Sequence, residues 1–319
     1  MKNQKKLIFI FIVCLTFTIV CAEAFKDQNE ENLSKLNASK QTIIYKNIGN
    51  IELLMDIYKS KEQNPKKSPV VMYIHGGGFV KGSRDNISTT HPIVYELIKL
   101  GYTFISIDYR LLDNNIHFPS NIEDVKDSIR WIHKNSDEYN LDADNITLWG
   151  TSAGGHLALI AAYTGDDQFE GSEEYKGFSS SVNNIIDMFG LTDFRTFYNF
   201  SNFSDKEWNN FNMISKILYG KSISKDGINE EFFQYIDKFS PLTYVGNETV
   251  DSLIIHGTID KTVNIQQSEI ISKKLDEFER NYEFLIIEGV GHGFKNATSE
   301  QLFKIYKTVN DFILNHYQN

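Results

Sequence analysis

The residues of this chain best suited to chemistry form a Gly-x-Ser-x-Gly motif at Gly150–Gly154, with Ser152 at its centre. The motif directly follows the apolar run 146–149, which is typical of a buried strand. In that context it predicts a tight strand-to-helix turn that presents the serine hydroxyl as a nucleophile above the sheet edge. Because glycine-rich loops also produce this motif by chance, its meaning depends on what else the chain carries.

A second candidate element is the glycine-rich sequence His75–Phe79, which follows the apolar run 70–74. Backbone N–H groups of such a loop can approach a ligand closely and stabilise a developing oxyanion beside a nucleophile. A phosphate-binding loop is disfavoured, because the Lys-Gly-Ser sequence at 81–83 is in the wrong order for that motif. We therefore expect an oxyanion hole formed by the N–H groups of Gly77, Gly78 and Ala153.

The candidate acid is Asp260. It lies just past the carboxyl end of the predicted strand 252–256, which is the edge where open α/β sheets bind ligands. An ordinary turn aspartate is the alternative at such a position. Asp251 precedes the same strand at its opposite end, so it cannot compete for this role.

The candidate base is one of the eight histidines. Where this motif forms a strand-to-helix turn, the nucleophile is followed along the chain first by an acid and then by a histidine, and only His292 and His316 follow Asp260. His292 lies in a glycine-rich loop after the predicted strand 282–287, whereas His316 lies on a predicted C-terminal helix. We therefore predict that His292 is the base.

Together these residues predict acyl transfer. His292 would remove the Ser152 proton as the oxygen attacks a carbonyl carbon, and Asp260 would fix the tautomer of the imidazole. Water would then hydrolyse the acyl-enzyme. This mechanism requires no metal and no cofactor, and the sequence contains no cluster with metal-ligand spacing.

Beyond these motifs, the chain resembles the α/β-hydrolase superfamily of serine esterases over roughly residues 42 to 316. His75–Phe79 and Gly150–His156 are similar to the lipase and esterase branch related to hormone-sensitive lipase. Other runs are similar to feruloyl and acetyl-xylan esterases, namely Asp108–Leu111, Phe118–Pro119, Arg130–Trp131 and His256–Asp260. The acid of hormone-sensitive-lipase relatives is usually surrounded by an Asp-Pro-Leu-type motif that this chain lacks, which favours the second group.

Several other residues in these motifs are expected to serve structure. We expect His75 and His256 to make structural hydrogen bonds beside the site, and His156 to pack within the helix that follows the nucleophile. The Asp108-Tyr109-Arg110 sequence is expected to tie loops together by an ion pair. Both Trp131 and Trp149 are predicted core residues.

The domain organisation follows from the ends and the apolar runs. Residues 1–24 have a basic start, a 14-residue apolar run and an Ala-x-Ala-like cleavage site, which predict a signal peptide rather than a membrane anchor. Residues 25–40 are predicted to be loose, and residues 41–319 to form one α/β-hydrolase domain around a mostly parallel sheet flanked by helices. Its eight predicted strands are 42–45, 51–58, 69–74, 102–108, 146–149, 184–189, 252–256 and 282–287.

An insertion between the sixth and seventh predicted strands, at about residues 192–244, is interpreted as a small cap over the site. It is rich in aromatic residues, which form either the cap's own core or a platform for a sugar or aromatic ring. These residues are Phe194, Phe197, Tyr198, Phe200, Phe203, Trp208 and Phe211.

The composition narrows the range of partners. A net charge of −10 without a basic stripe argues against nucleic acid and against stable association with anionic membranes. Both cysteines lie within residues 1–24, so no disulfide framework is expected in the mature chain. A secreted glycoprotein is predicted, either monomeric or a weak homo-oligomer. Its eight glycosylation sequons are at Asn32, Asn37, Asn86, Asn145, Asn199, Asn202, Asn247 and Asn296.

The sequence thus predicts a secreted serine hydrolase that cleaves carboxylic esters with a short-chain or small aromatic acyl group, on a small molecule or linked to carbohydrate. The same site on the same scaffold would also suit an exopeptidase or a formamidase. An inactive binding module is disfavoured, because all members of the predicted triad are present.

Overall fold

Eight strands form a single sheet in the computed structural model, which describes residues 38–62, 66–87, 91–198, 200 and 203–317. The predicted signal peptide and residues 25–37 of the predicted loose segment lie outside the described residues. All eight predicted strands are confirmed. They are β1 (Ala38–Ile48), β2 (Ile51–Ser60), β3 (Ser68–Ile74), β4 (Thr103–Ile107), β5 (Leu141–Thr151), β6 (Asn184–Met188), β7 (Asp251–Gly257) and β8 (Tyr282–Ile287).

The strand order determines which loops meet. It is β1-β2-β4-β3-β5-β6-β7-β8, in which β1 pairs antiparallel with β2, β2 pairs antiparallel with β4, and the remaining neighbours are parallel. The carboxyl ends of β3, β5, β7 and β8 therefore lie along one edge of the sheet. The predicted oxyanion loop, nucleophile, acid and base each follow one of these four ends.

Helices cover both faces of the sheet. They are α1 (His91–Lys99), α2 (Ser120–Asn135), α3 (Ala153–Tyr163), α4 (Phe194–Tyr198), α5 (Asp205–Tyr219), α6 (Glu230–Asp237), α7 (Gln266–Glu277) and α8 (Ser299–Asn315). The apolar residues of α2, α3 and α7 pack in one core, and those of α1 and α8 pack in a second core. Within the described ranges, no helix is both long and apolar enough to cross a membrane.

Two strands begin several residues before their predicted starts. β1 begins at Ala38, so residues 38–40 of the segment predicted to be loose belong to the sheet, where Ala38 pairs with Ser60 and Lys40 pairs with Tyr58. β5 begins at Leu141, five residues before its predicted start. Both extensions consist mainly of polar residues. These residues form strand because they pair with a neighbouring strand, and no apolar pattern in their sequence predicts it.

The insertion between β6 and β7 contains α4, α5 and α6. Its aromatic side chains mainly contact one another: the Phe211 ring lies 4.8 Å from that of Tyr198, and the Phe203 ring lies 5.2 Å from that of Trp208. Phe194, Tyr198, Trp208 and Phe211 are buried. Of the two alternatives, the core of the insertion itself therefore accounts for these four residues. Phe197 differs, since its side chain is 36% exposed.

A buried cluster of charges fixes α2 against β1. The Lys46 ammonium lies 2.8 Å from Asp124 and 2.6 Å from Asp127, and both carboxylates are fully buried. Asp124 also accepts hydrogen bonds from the Arg110 side chain at 2.7 and 2.8 Å. The expected tie through the Asp108-Tyr109-Arg110 sequence is confirmed, because Asp108 in turn pairs with Arg84 at 2.7 Å.

Removing one charge from this cluster should destabilise the fold strongly. In Asp124→Asn, Lys46 and Arg110 lose a buried counter-charge, so the free energy of unfolding should fall by about 3 kcal/mol or more. Urea unfolding followed by circular dichroism measures the change. Glu174→Gln is the matched control at the exposed pair with Lys134, and it should cost less than about 1 kcal/mol. Equal effects of the two substitutions would contradict this account.

Candidate active site

Ser152 occupies a strained turn between β5 and α3. Its φ of 54° and ψ of −120° lie in a region that non-glycine residues rarely adopt, and its N–H is held by the carbonyl of Met188 at 2.8 Å. A Cβ on Gly154 would collide with the backbone carbonyl of Ile74, so only glycine lets α3 start this close to β3. The predicted turn therefore exists, and it lifts the hydroxyl off the end of β5.

Three side chains form a continuous hydrogen-bonded chain above the sheet edge. The Oγ of Ser152 lies 2.9 Å from Nε2 of His292, and Nδ1 of His292 lies 2.6 Å from Oδ2 of Asp260. A carboxylate only accepts, so Nδ1 carries the proton and Nε2 is free to accept the serine proton. The structure thus brings together the three residues that the sequence predicts, in the order required for nucleophilic catalysis.

Asp260 is buried, yet it is surrounded by donors. Its Oδ1 accepts the backbone N–H groups of Thr262 at 2.8 Å and Val263 at 3.0 Å. Burial by itself raises the pKa of this carboxyl. Hydrogen bonds from His256 and His292, the charge of His292 and the Thr262 N–H outweigh burial and hold the pKa well below its usual range. The acid is therefore a stable carboxylate facing the imidazole.

The two candidate bases are at opposite ends of the sheet. His292 begins a 3-10 turn after β8, and its ring lies 4.8 Å from that of Phe189, which packs against it edge-on. His316 instead contacts Asp251, at 3.3 Å, and donates from Nδ1 to the carbonyl of Phe312. Asp251 is the first residue of β7, whereas Asp260 follows its end. The geometry therefore favours His292 over His316.

The loop at 75–79 lies beside the nucleophile. A Cβ on Gly76 would be 3.3 Å from that of Ser152, which brings the loop against the turn. Gly77 and Gly78 have φ values of 128° and 62°, and no hydrogen bond between described residues uses either of their N–H groups. Ala153 is the first residue of α3, where a backbone N–H has no acceptor within the helix. All three expected donors therefore remain available to a ligand.

His75 and His156 have the supporting roles expected of them. Nδ1 of His75 donates to the carbonyl of Gly76 at 2.7 Å, while its ring stacks on Tyr109 at 4.3 Å, and burial lowers its pKa. His156 donates to the carbonyl of Leu191 and packs within about 5.3 Å of the Phe79 and Phe194 rings. Trp131 and Trp149 are core residues, as predicted.

Two buried polar residues make contacts beside the site that the motif analysis does not predict. His256 makes the structural hydrogen bonds expected of it, to Ser268 and Val263, and its Nε2 also lies 3.4 Å from Oδ2 of Asp260. Asp187, on β6, accepts the N–H of Gly190 at 3.0 Å, and burial raises its pKa to about 7. No spacing rule singles them out, because their contacts arise only when β6, β7 and α3 assemble. His256 ends a buried strand and begins the His256–Asp260 run, but neither feature indicates its contact with the acid.

The sheet order, the turn at Ser152 and the hydrogen-bonded chain define an α/β-hydrolase fold. A model of the BD-FAE family matches residues 55–275, which is more than half of the chain, and the chain belongs to that family. The expected resemblance to α/β-hydrolase esterases is thereby confirmed.

Curated relatives carry esterase names. The chain is 28% identical to esterase LipC of Mycobacterium tuberculosis over 243 residues, covering 76% of this chain and 57% of that protein. It is 26% identical to esterase LipQ of the same organism over 268 residues, covering 83% and 60%. The chain thus spans somewhat more than half the length of these relatives.

Solved structures share the fold at lower sequence identity. Esterase Est2 of Thermogutta terrifontis with bound butyrate has a TM-score of 0.69 at 23% identity, covering 86% of this chain and 94% of that one. A truncated carbohydrate esterase from gut microbiota has a TM-score of 0.68 at 23% identity, covering 88% and 95%. These likenesses establish the architecture of the domain.

Burial of His156 should make the fold sensitive to acid. Burial lowers its pKa to about 4 in the folded protein, against about 6.5 when unfolded. Below pH 6.5 the unfolded chain therefore binds a proton at His156 that the folded protein does not bind. As the pH is lowered, the free energy of unfolding falls until the pH reaches the pKa of the folded state. From pH 7 to pH 5 this one residue should remove about 2 kcal/mol of unfolding free energy.

Urea unfolding at the two pH values tests this expectation. In His156→Gln the loss of stability from pH 7 to pH 5 should be smaller by that amount than in the wild type. Leu159→Ala, a fully buried substitution on the same helix, should lower stability equally at both pH values. If His156→Gln shows the full wild-type loss, His156 does not carry this pH dependence.

Proposed function

We propose that the protein is a serine hydrolase that cleaves carboxylic esters. The observation that carries this proposal is the unbroken hydrogen-bonded chain from Ser152 through His292 to Asp260. The esterase names of the curated relatives support the same class of reaction. Ester hydrolysis is preferred over the amide alternatives, because no observation on the described residues favours a peptide or formamide substrate.

In the proposed first step, Oγ of Ser152 forms a bond to the ester carbonyl carbon while Nε2 of His292 accepts the hydroxyl proton. The carbonyl electron pair moves to its oxygen, and the N–H groups of Gly77, Gly78 and Ala153 stabilise the resulting oxyanion. Asp260 stays ionised and stabilises the imidazolium. Its low pKa supports this role, since a carboxyl that took up the proton would leave His292 uncharged.

The intermediate then collapses, and the bond to the alcohol breaks. His292 delivers its proton to the leaving alcohol oxygen, which leaves an ester on Ser152. A water molecule attacks this acyl-enzyme while His292 accepts one of its protons. The second collapse returns that proton to Ser152 and releases the carboxylic acid. Each residue is therefore restored, and neither a metal nor a cofactor is consumed.

We further propose that the substrate has a short-chain or small aromatic acyl group and is a small molecule or is linked to carbohydrate. The insertion at 192–244 packs against the oxyanion side of the site through a chain of rings, in which Phe118 lies 5.2 Å from Phe79 and 5.9 Å from Phe194. This packing supports a role of the insertion in selecting the ester. One structural neighbour was solved with butyrate, and another is a carbohydrate esterase.

Secretion and glycosylation form part of the same proposal, based on residues 1–24 and on the sequons. Asn86, Asn247 and Asn296 have exposed side chains, which supports modification there. The amide nitrogen of Asn145 instead donates to Asp142 at 2.7 Å, which disfavours a glycan at that position. Treatment of the secreted protein with an endoglycosidase, followed by peptide mass spectrometry, tests the proposal directly.

The choice of base can be tested with two matched substitutions. His292→Gln should lower kcat for p-nitrophenyl butyrate by about 10⁴-fold or more, because the general base of the triad is lost. His316→Gln should stay within about twofold of wild type, as expected of a surface substitution away from the site. Steady-state kinetics at pH 8 measures both. The reverse outcome would move the base to the C-terminal helix and overturn the mechanism.

The substrate class can be tested with a panel of esters. We expect kcat/KM to be highest for acyl groups of about two to four carbons or for feruloyl esters, and to fall by about tenfold or more for a dodecanoyl ester. Apolar pockets discriminate by about 1–3 kcal/mol for each methylene-sized change. Acetylated xylan, as a further substrate, tests whether the enzyme cleaves esters that are linked to carbohydrate. A preference for long chains would contradict the proposed substrate class while leaving ester hydrolysis intact.

A further inference from the structure

His256 lies at the end of β7 and makes contacts from both ring nitrogens. The residue is fully buried. Its Nδ1 is 2.7 Å from Oγ of Ser268 on α7, and its Nε2 is 2.9 Å from the carbonyl oxygen of Val263. The same Nε2 is 3.4 Å from Oδ2 of Asp260. The ring therefore lies between α7 and the loop that carries Asp260.

These contacts determine the tautomer of His256. A carbonyl oxygen can only accept, so Nε2 must carry a hydrogen. Nδ1 of the neutral ring then accepts the hydroxyl hydrogen of Ser268. The Nε2–H group consequently donates to the Val263 carbonyl, Oδ2 of Asp260 lies 3.4 Å from the same nitrogen, and Ser268 fixes the ring in this orientation.

His256 contacts Oδ2, which is the oxygen of Asp260 that bonds to His292. Oδ1 of Asp260 is occupied by the N–H groups of Thr262 and Val263, whereas Oδ2 receives His292 at 2.6 Å and His256. Val263 connects His256 to Asp260, because its N–H donates to Oδ1 of Asp260 while its carbonyl accepts from Nε2 of His256. His256 thus fixes both the backbone of the acid loop and the rotation of the carboxylate.

We propose that His256 is a positioning residue that acts through Asp260, and this inference rests on the proposed triad. Its Nε2–H group keeps Oδ2 aligned with Nδ1 of His292 and favours the ionised carboxyl while His292 becomes an imidazolium. His256 touches neither the substrate nor Ser152. Its loss should therefore lower kcat and leave KM nearly unchanged.

Two amide substitutions at His256 separate positioning from mere filling of space. The amide nitrogen of Gln can occupy the position of Nε2 and donate to Asp260, whereas the shorter Asn amide reaches only the position of Nδ1, beside Ser268. His256→Gln should keep kcat within about threefold of wild type. His256→Asn should lose about 10- to 100-fold in kcat, as expected when a reacting group is misplaced by up to about 1 Å.

Stability and spectroscopy serve as controls. Leu275→Ala on α7 creates a buried cavity away from Asp260, so it should lose stability but keep kcat at 25 °C. The low-field NMR resonance of the His292 Nδ1–H proton, assigned by its loss in His292→Gln, reports the bond to Oδ2. It should move in His256→Gln, because an amide is a different donor. This measurement decides the question even if His256→Asn does not fold.

The outcomes separate this inference from the proposed function. If the wild type does not hydrolyse any ester of the panel, or Ser152→Ala is as active as the wild type, the proposed function fails. If the wild type is active and Ser152→Ala is not, the positioning role fails on any of three results. These are equal kcat values for folded His256→Gln and His256→Asn, a change confined to KM, and an unmoved His292 resonance.

Discussion

A buried carboxylate is the constraint on which the rest of the site depends. Asp260 lies almost entirely out of water, and an isolated charge at such a position would take up a proton. The loop after β7 prevents this by turning two backbone N–H groups onto Oδ1, and two histidines approach Oδ2. The charge then holds the His292 ring, whose other nitrogen faces Ser152. Asp260 thus orients His292, and His292 in turn orients the hydroxyl of Ser152.

The sheet supplies the rigid base for this arrangement. Parallel strands bring the ends of β3, β5 and β7 to one edge, so groups from positions 76, 152 and 260 meet although they are far apart in sequence. The strained backbone of Ser152 persists because its N–H is bonded to Met188 and α3 packs closely against the end of β3. Strain of this kind is typical of functional sites and is maintained by the surrounding packing.

Much of this arrangement could be predicted from the sequence. β8 has the bounds expected of it, because it is dominated by the apolar run 284–287. The chain order of nucleophile, acid and base left His292 and His316, and the glycine-rich loop around His292 favoured it. The start of β1 and that of β5 could not be predicted, since polar residues such as Lys40 and Asp142 enter strands through pairing. The contact of His256 with Asp260 depends on how the loop after β7 folds back, and no residue pattern encodes it.

The proposed mechanism makes Oγ of Ser152 the nucleophile, and mass spectrometry of a covalent adduct tests this role most directly. The protein is incubated with a fluorophosphonate, digested, and the modified peptide is sequenced. We predict one phosphonyl group per chain, on Ser152, and no adduct when Asp260 and His292 are both replaced by Ala under the same brief exposure. An adduct on another residue, or equal labelling of Ser152 in that double variant, would contradict the account.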